Sequence, residues 1–189
     1  MEINLKYRFL IVLLFLLGAP FMTRAQKVSL GTDAIQWANF GTVNIDLGVS
    51  VHQHLSFSAG GRFNPWEFGR NNVKVHYHQK GAYLGCRYWP WYVFSGWWFG
   101  AKVQYMDYSR TGIWRPALEE GKRLGAGFSF GYTVMLSEKI NLEFGAGSWG
   151  GYELDYALYE CPVCMDLRDS GARGFIDIDN VSVSIFYVF

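Results

Sequence analysis

The chain ends on a strict alternation that fixes one element outright. Val181, Val183, Ile185, Tyr187 and Phe189 are large and apolar, and Ser182 and Ser184 stand between the first of them. A period of two demands a strand with two chemically different faces. In water, a terminal strand this apolar needs a core on one side. As the closing strand of a membrane barrel, the same pattern meets lipid on one face and the lumen on the other.

Seven earlier segments repeat the pattern, at residues 28–37, 43–51, 55–63, 78–89, 97–107, 124–136 and 140–152. The sixth is the plainest. From Leu124 to Leu136 the even positions read Leu, Ala, Phe, Phe, Tyr, Val and Leu, and the odd ones Gly, Gly, Ser, Gly, Thr and Met. About ten residues is what a tilted strand needs to cross a bilayer. The connections after the second, fourth and sixth segments are tight, at 52–54, 90–96 and 137–139. Those after the third, fifth and seventh are long, at 64–77, 108–123 and 153–174, and the first, near 38–41, is short. This spacing predicts an all-β chain: an eight-stranded antiparallel up-and-down transmembrane β-barrel of the outer-membrane type, with short periplasmic turns and longer outer loops.

A soluble lipocalin-like barrel alternates too, with the polarity reversed, so the faces must be assigned. The polar face carries many glycines and few charges, namely Asp33, Asp46, Glu143, Arg62, Arg87 and Lys102. Three acids and three bases among small residues suit the narrow interior of an eight-stranded barrel, which its own side chains fill. A soluble surface would carry more Lys and Glu and fewer glycines inside strands. Aromatics make up 19% of the chain. Tyr88, Trp89, Trp97, Trp98, Tyr132, Tyr187 and Phe189 fall near strand ends, where interfacial girdles form.

The N-terminus agrees. Lys6 and Arg8 precede an apolar run at 9–21, and Thr23-Arg24-Ala25 has the small-x-small form of a cleavage site. That run is short of the roughly 20 residues of a spanning helix. Residues 1–25 are expected to be a signal peptide and 26–189 the barrel domain, an uncleaved anchor being the competing reading. Loss of Glu2, Lys6, Arg8 and Arg24 with the leader takes the formal charge from +1 to −1, so nothing favours nucleic acid. The closing aromatic pattern Ile185, Tyr187, Phe189 has the form of the terminal signal read by the barrel assembly machinery.

Few residues invite chemistry. Cys161 and Cys164 flank Pro162-Val163 in the longest outer connection. A local disulfide or a structural turn is the leading reading in an oxidising compartment. A metal would need more ligands, for which His76 and His78 are the available donors. A redox site would need a strand-to-helix context that is absent. Cys86 falls on the lipid face. His52 and His54 flank a turn near Ser50 and Ser56, but no nucleophile motif accompanies them. No catalytic residue and no cofactor are expected, and the lumenal charges read as a structural network rather than a pore.

Residues Gly125-Ala-Gly-Phe-Ser-Phe-Gly-Tyr132, Leu136-Ser-Glu-Lys-Ile-Asn-Leu-Glu-Phe-Gly-Ala-Gly147, Gly150-Gly-Tyr152, the loop cysteines and Val181-Ser-Val-Ser-Ile carry a resemblance. The chain resembles the domain of unknown function 3575 family of small Bacteroidetes-type outer-membrane barrels, departing mildly at Ser184-Ile185-Phe186-Tyr187. The family has no agreed activity and no established site residues. Some members are encoded near fimbrillin-like proteins, which implies a role in surface-fibre assembly or anchoring. The expectation is a non-enzymatic structural or accessory protein of the bacterial outer membrane, in contact with its lipid. Its outer loops, with Trp114 and Arg115 as contact anchors, would bind or brace a surface or fimbrial protein. A lipid-modifying barrel enzyme is the first alternative, and a soluble lipocalin-like ligand-binding barrel the second.

Overall fold

The computed structural model describes residues 27–70, 73–111, 117–160 and 166–189. They form β1 (Val28–Asp33), α1 (Ala34–Ala38), β2 (Val43–His52), β3 (Leu55–Asn64), β4 (Glu67–Arg70), β5 (Val73–Tyr88), β6 (Gly96–Thr111), β7 (Leu118–Met135), β8 (Ile140–Tyr159) and β9 (Leu167–Val188). Strands follow one another around the sheet in antiparallel pairs. β1 pairs with β9, and β3 pairs with β5 to close the ring. β4 lies outside the ring of eight, paired only with the far end of β5.

The register fixes the stagger. Followed from Leu30 through Leu47, Ala59, Leu84, Val103, Ala126 and Gly150, the ladder reaches β9 at Ile176. Leu30 itself pairs with Tyr187, eleven residues away on the same strand. Such a stagger in an eight-stranded ring tilts the strands by roughly 35–45° and leaves an interior that side chains fill.

The burial pattern is inside out. Leu47, Phe57, Leu84, Val103, Phe128 and Phe130 are exposed on the outer surface, while Ser29, Gln104, Thr133, Asn141 and Glu143 are buried within. The lumenal glycines have a steric reason to be glycine. A Cβ on Gly31 would lie 2.2 Å from the Phe186 ring, and one on Gly131 would lie 2.6 Å from the Trp98 ring. Aromatic side chains thus lie across backbone that offers them no obstruction.

Three expectations need correction. The first segment does not remain a strand to Trp37. Asp33 accepts the Ile35 amide at 2.9 Å as a helix cap, and the chain turns into α1. The long connections 108–123 and 153–174 are not loops for most of their length. β6 to β9 continue as paired strands to Thr111, Leu118, Tyr159 and Leu167, and 64–77 contains the small strand β4. Outward positions of this upper part carry charged groups such as Asp107 and Lys122 in place of large apolar ones, so hydrophobic alternation no longer marks it. Finally, Trp89 and Trp98 are not at the outer rim but are fully buried inside the ring. Tyr88, Trp97, Tyr187 and Phe189 are exposed on the outside, with Tyr132 partly so.

Gly31→Val should overpack the lumen against Phe186 and cost about 1–3 kcal/mol in urea unfolding of the folded barrel. The double variant with Phe186→Ala should recover part of that loss, and a Gly31→Val barrel of unchanged stability would contradict the contact.

Candidate functional site

The interior is built in storeys. At the tight-turn end, the connection between β5 and β6 folds up into the ring. Trp89, Val93, Phe94, Trp98 and Val188 make an apolar floor. Trp89 sits 5.7 Å from Phe94, edge on, and donates its indole N–H to Ser56 Oγ at 2.9 Å. Phe94 holds φ at 63°, costly for an aromatic residue, and Asn141 Nδ2 donates to its carbonyl at 2.8 Å.

Above the floor is a polar cavity of about 50 Å³, room for only a few water molecules. All six charges singled out from the sequence line it: Asp33, Asp46, Arg62, Arg87, Lys102 and Glu143. Arg87 reaches both carboxylate oxygens of Glu143, at 3.0 and 3.1 Å, and stacks 4.4 Å from the Trp98 ring. Thr133 Oγ1 donates to the same carboxylate at 3.2 Å. Asp46 accepts the Tyr83 hydroxyl, and the Lys102 ammonium lies 5.7 Å from the Tyr83 ring. Asp33 is spent on backbone, taking the Ile35 and Val183 amides.

A second apolar layer packs farther up the ring. Met106, Tyr108 and Trp149 pack with Phe175, whose ring meets Trp149 edge on at 4.6 Å. Arg123 lies between Tyr108, at 4.4 Å, and Phe175, at 5.0 Å. Its Nε donates to the buried Glu153 at 2.6 Å, and Glu153 also accepts from Tyr108 and Arg173. Arg173 extends to Glu119 at 2.6 Å, and Glu119 takes Arg110 at 3.0 Å. Burial by itself would raise the Glu119 carboxyl, but Arg110 and Arg173 beside it hold it below the usual carboxylate value. Glu153 is lowered for a like reason: burial opposes ionisation, while the bonds from Tyr108, Arg173 and Arg123 outweigh it.

This upper network escaped the sequence reading because its members were assigned to loops. Continuing the β7–β8 register one step past Leu124 would have found it, since Arg123 stands opposite Glu153 and Glu153 opposite Arg173.

The other candidates are dispersed. His78 Nε2 lies 3.0 Å from the Pro65 carbonyl, and His76 pairs with Glu67 through the backbone register. Among the described residues no group of three or more His, Cys, Asp or Glu side chains could hold a metal. Cys161, Cys164, Trp114 and Arg115 lie outside the described residues. The Ser50 hydroxyl donates to the His52 carbonyl at 3.3 Å, and His54 Nδ1 lies 2.9 Å from the Trp89 carbonyl. Cys86 lies on the outer surface beside Phe57 and Ala101. Ile185, Tyr187 and Phe189 face outward. The Tyr187 and Phe189 rings are 4.8 Å apart, and the Phe189 amide donates to the Val28 carbonyl at 2.9 Å.

Two measurements probe the networks. Glu143→Leu leaves Arg87 buried without its partner and should cost about 3–5 kcal/mol, most of it regained when Arg87→Met is added; additive losses would show that the pair is not coupled. The Glu119 contribution should be complete above the ordinary glutamate value of 4.5 and vanish as pH falls through its lower native value. Amide shifts of Arg110, Glu119 and Arg173 should therefore move with a midpoint below 4.5, and a midpoint at or above it would refute the assignment.

Among curated proteins and solved structures, nothing matches this chain. A family model does, over residues 10–189. The chain therefore belongs to the family described as "Protein of unknown function (DUF3575)".

Proposed function

We propose that this protein is a non-enzymatic barrel of the bacterial outer membrane, exported by a cleaved leader, whose extended end binds or braces a surface assembly. The observation that carries the reading is the inverted burial. Large apolar side chains such as Leu84, Phe128 and Phe130 cover the outside of the ring, while buried ions and amides occupy the inside. Water does not favour that arrangement, and a bilayer requires it. The apolar floor and the Trp149 layer occupy much of the lumen, which supports a structural role over passage of solutes.

The long end supports the rest of the proposal. From Arg123, Glu153 and Arg173 upward, the strands leave the apolar belt and continue as a paired, ion-laced wall. A rigid wall presented beyond the bilayer is a platform, better suited to holding a partner than a floppy loop would be. The tight-turn end offers only short connections on the other side.

Phe130→Arg should cost about 2–4 kcal/mol for folding into lipid, whereas Ser129→Ala, on the lumenal face, should cost little; equal stability of the two variants would overturn the outer-membrane reading. Replacing the hairpin above Glu153 by a short turn should leave a heat-modifiable barrel in the outer-membrane fraction and free a co-purifying surface protein. Retention of that protein by the shortened barrel would argue against the bracing role.

A further inference from the structure

The ring is even at its tight-turn end and ragged at the other. β1 stops at Asp33, so its ladder with β9 covers only Val188 to Ser184. β9 runs on to Leu167, paired with β8 on its opposite side. Next to Ser184 the gap is filled by the start of α1, whose cap Asp33 takes the Val183 amide at 3.2 Å. Beyond that point no strand among the described residues pairs with this edge. Residues 166–174 are exposed without interruption, while β8 beside them still buries Glu153 and Tyr156.

The opposite border of the same wall is treated differently. β5 leaves its partner β3 beyond Gln79, and there β4 folds back to pair with Val73 to His76. One border is capped from within the chain, and the other meets no strand among the described residues. An open edge carries a row of unpaired N–H and C=O groups, a template for another strand. The open border also holds Ile176 and Ile178, which are 91% and 81% exposed, more than any other large apolar residue described. They stand two apart on the outer face, with Asp177 turned to Arg123 between them.

We propose that the free edge of β9, between Leu167 and Ser182, accepts an extended segment of a partner polypeptide as an added strand. This rests on the outer-membrane reading above and gives the bracing role a place. Backbone pairing supplies the attachment, and apolar residues at every second position of the partner pack beside Ile176 and Ile178. The upper half of the edge is guarded by Arg168, Asp169 and a bulge opposite Glu153 and Tyr156, devices that discourage indiscriminate pairing. The apolar half nearer the ring is where the partner is gripped.

A lipid chain cannot take this place, because it offers nothing to the unpaired amides. A second copy is excluded by geometry. Two barrels in one membrane point the same way, so a twofold axis along the membrane normal crosses their β9 strands at about twice the tilt, roughly 80°. That angle forbids a ladder. A segment arriving from outside is free to align.

The test uses the full-length barrel folded in detergent micelles and a ten-residue peptide of alternating valine and threonine. Amide hydrogen exchange is read with and without it. Between Leu167 and Ser182, amides that face the open edge should exchange at least about tenfold faster than those of β7, and the peptide should slow them by at least about tenfold. The same peptide N-methylated at alternate residues should have no effect, and Ile176→Lys with Ile178→Lys should abolish the slowing in a barrel that remains heat-modifiable. Edge amides already protected, no slowing at saturating peptide, or protection that rises with barrel concentration alone would each overturn the proposal. Failure of the outer-membrane reading would show separately, as a barrel that folds and stays monomeric in water without detergent.

Discussion

An eight-stranded ring has an interior of fixed width, and everything else in this molecule answers to that width. The lumen has about the width that side chains fill and is too long to be left empty. It is filled by side chains whose sizes must complement one another across the ring, which is why Phe186 lies over Gly31 and Trp98 over Gly131. Polar backbone and ionic groups then have to be satisfied from within. Arg87, Glu143 and Thr133 do this as one bonded group, and Asp33 does it by taking two backbone amides.

The same chain passes from one environment to another along single strands. Within the ring, β7 alternates a large outward group with a small or polar inward one. Above Leu124 it becomes Arg123, Lys122, Gly121, Glu120 and Glu119, and its stability comes from cross-strand ions rather than from an apolar exterior. Such ion pairs at an exposed site contribute little one by one. Here they share atoms: Glu153 and Glu119 are both held by Arg173, so displacing one side chain disturbs several bonds at once.

How much was legible follows from where the signal comes from. The ring strands were readable because lipid-like exterior and packed lumen impose opposite chemistry on alternate residues. The same parity sends Asp46, Arg62, Arg87 and Lys102 toward one cavity. Trp98 shares its parity with Gly100 and Lys102, and Trp89 shares it with Arg87. Their placement inside was therefore written in the alternation, and it was hidden by the preference of tryptophan for interfaces. α1 spans Ala34 to Ala38, too short to show a helical period, and was betrayed only by the capping Asp33. The wall of β6 to β9 left little apolar alternation because its outward positions, such as Asp107 and Lys122, are charged.

The closure of the ring has a kinetic side. Asp33 and Val183, bonded across the seam between β1 and β9, are 150 residues apart in the chain. Bringing together the ends of so long a loop costs about 4 kcal/mol in chain entropy, far more than forming the hairpins β2–β3 or β7–β8. The hairpins therefore come first and the seam last. Until Val28–Asp33 arrives, the lower edge of β9 has no strand beside it. Arrival of β1 therefore closes the ring and covers the edge from Ser184 to Val188 in a single event.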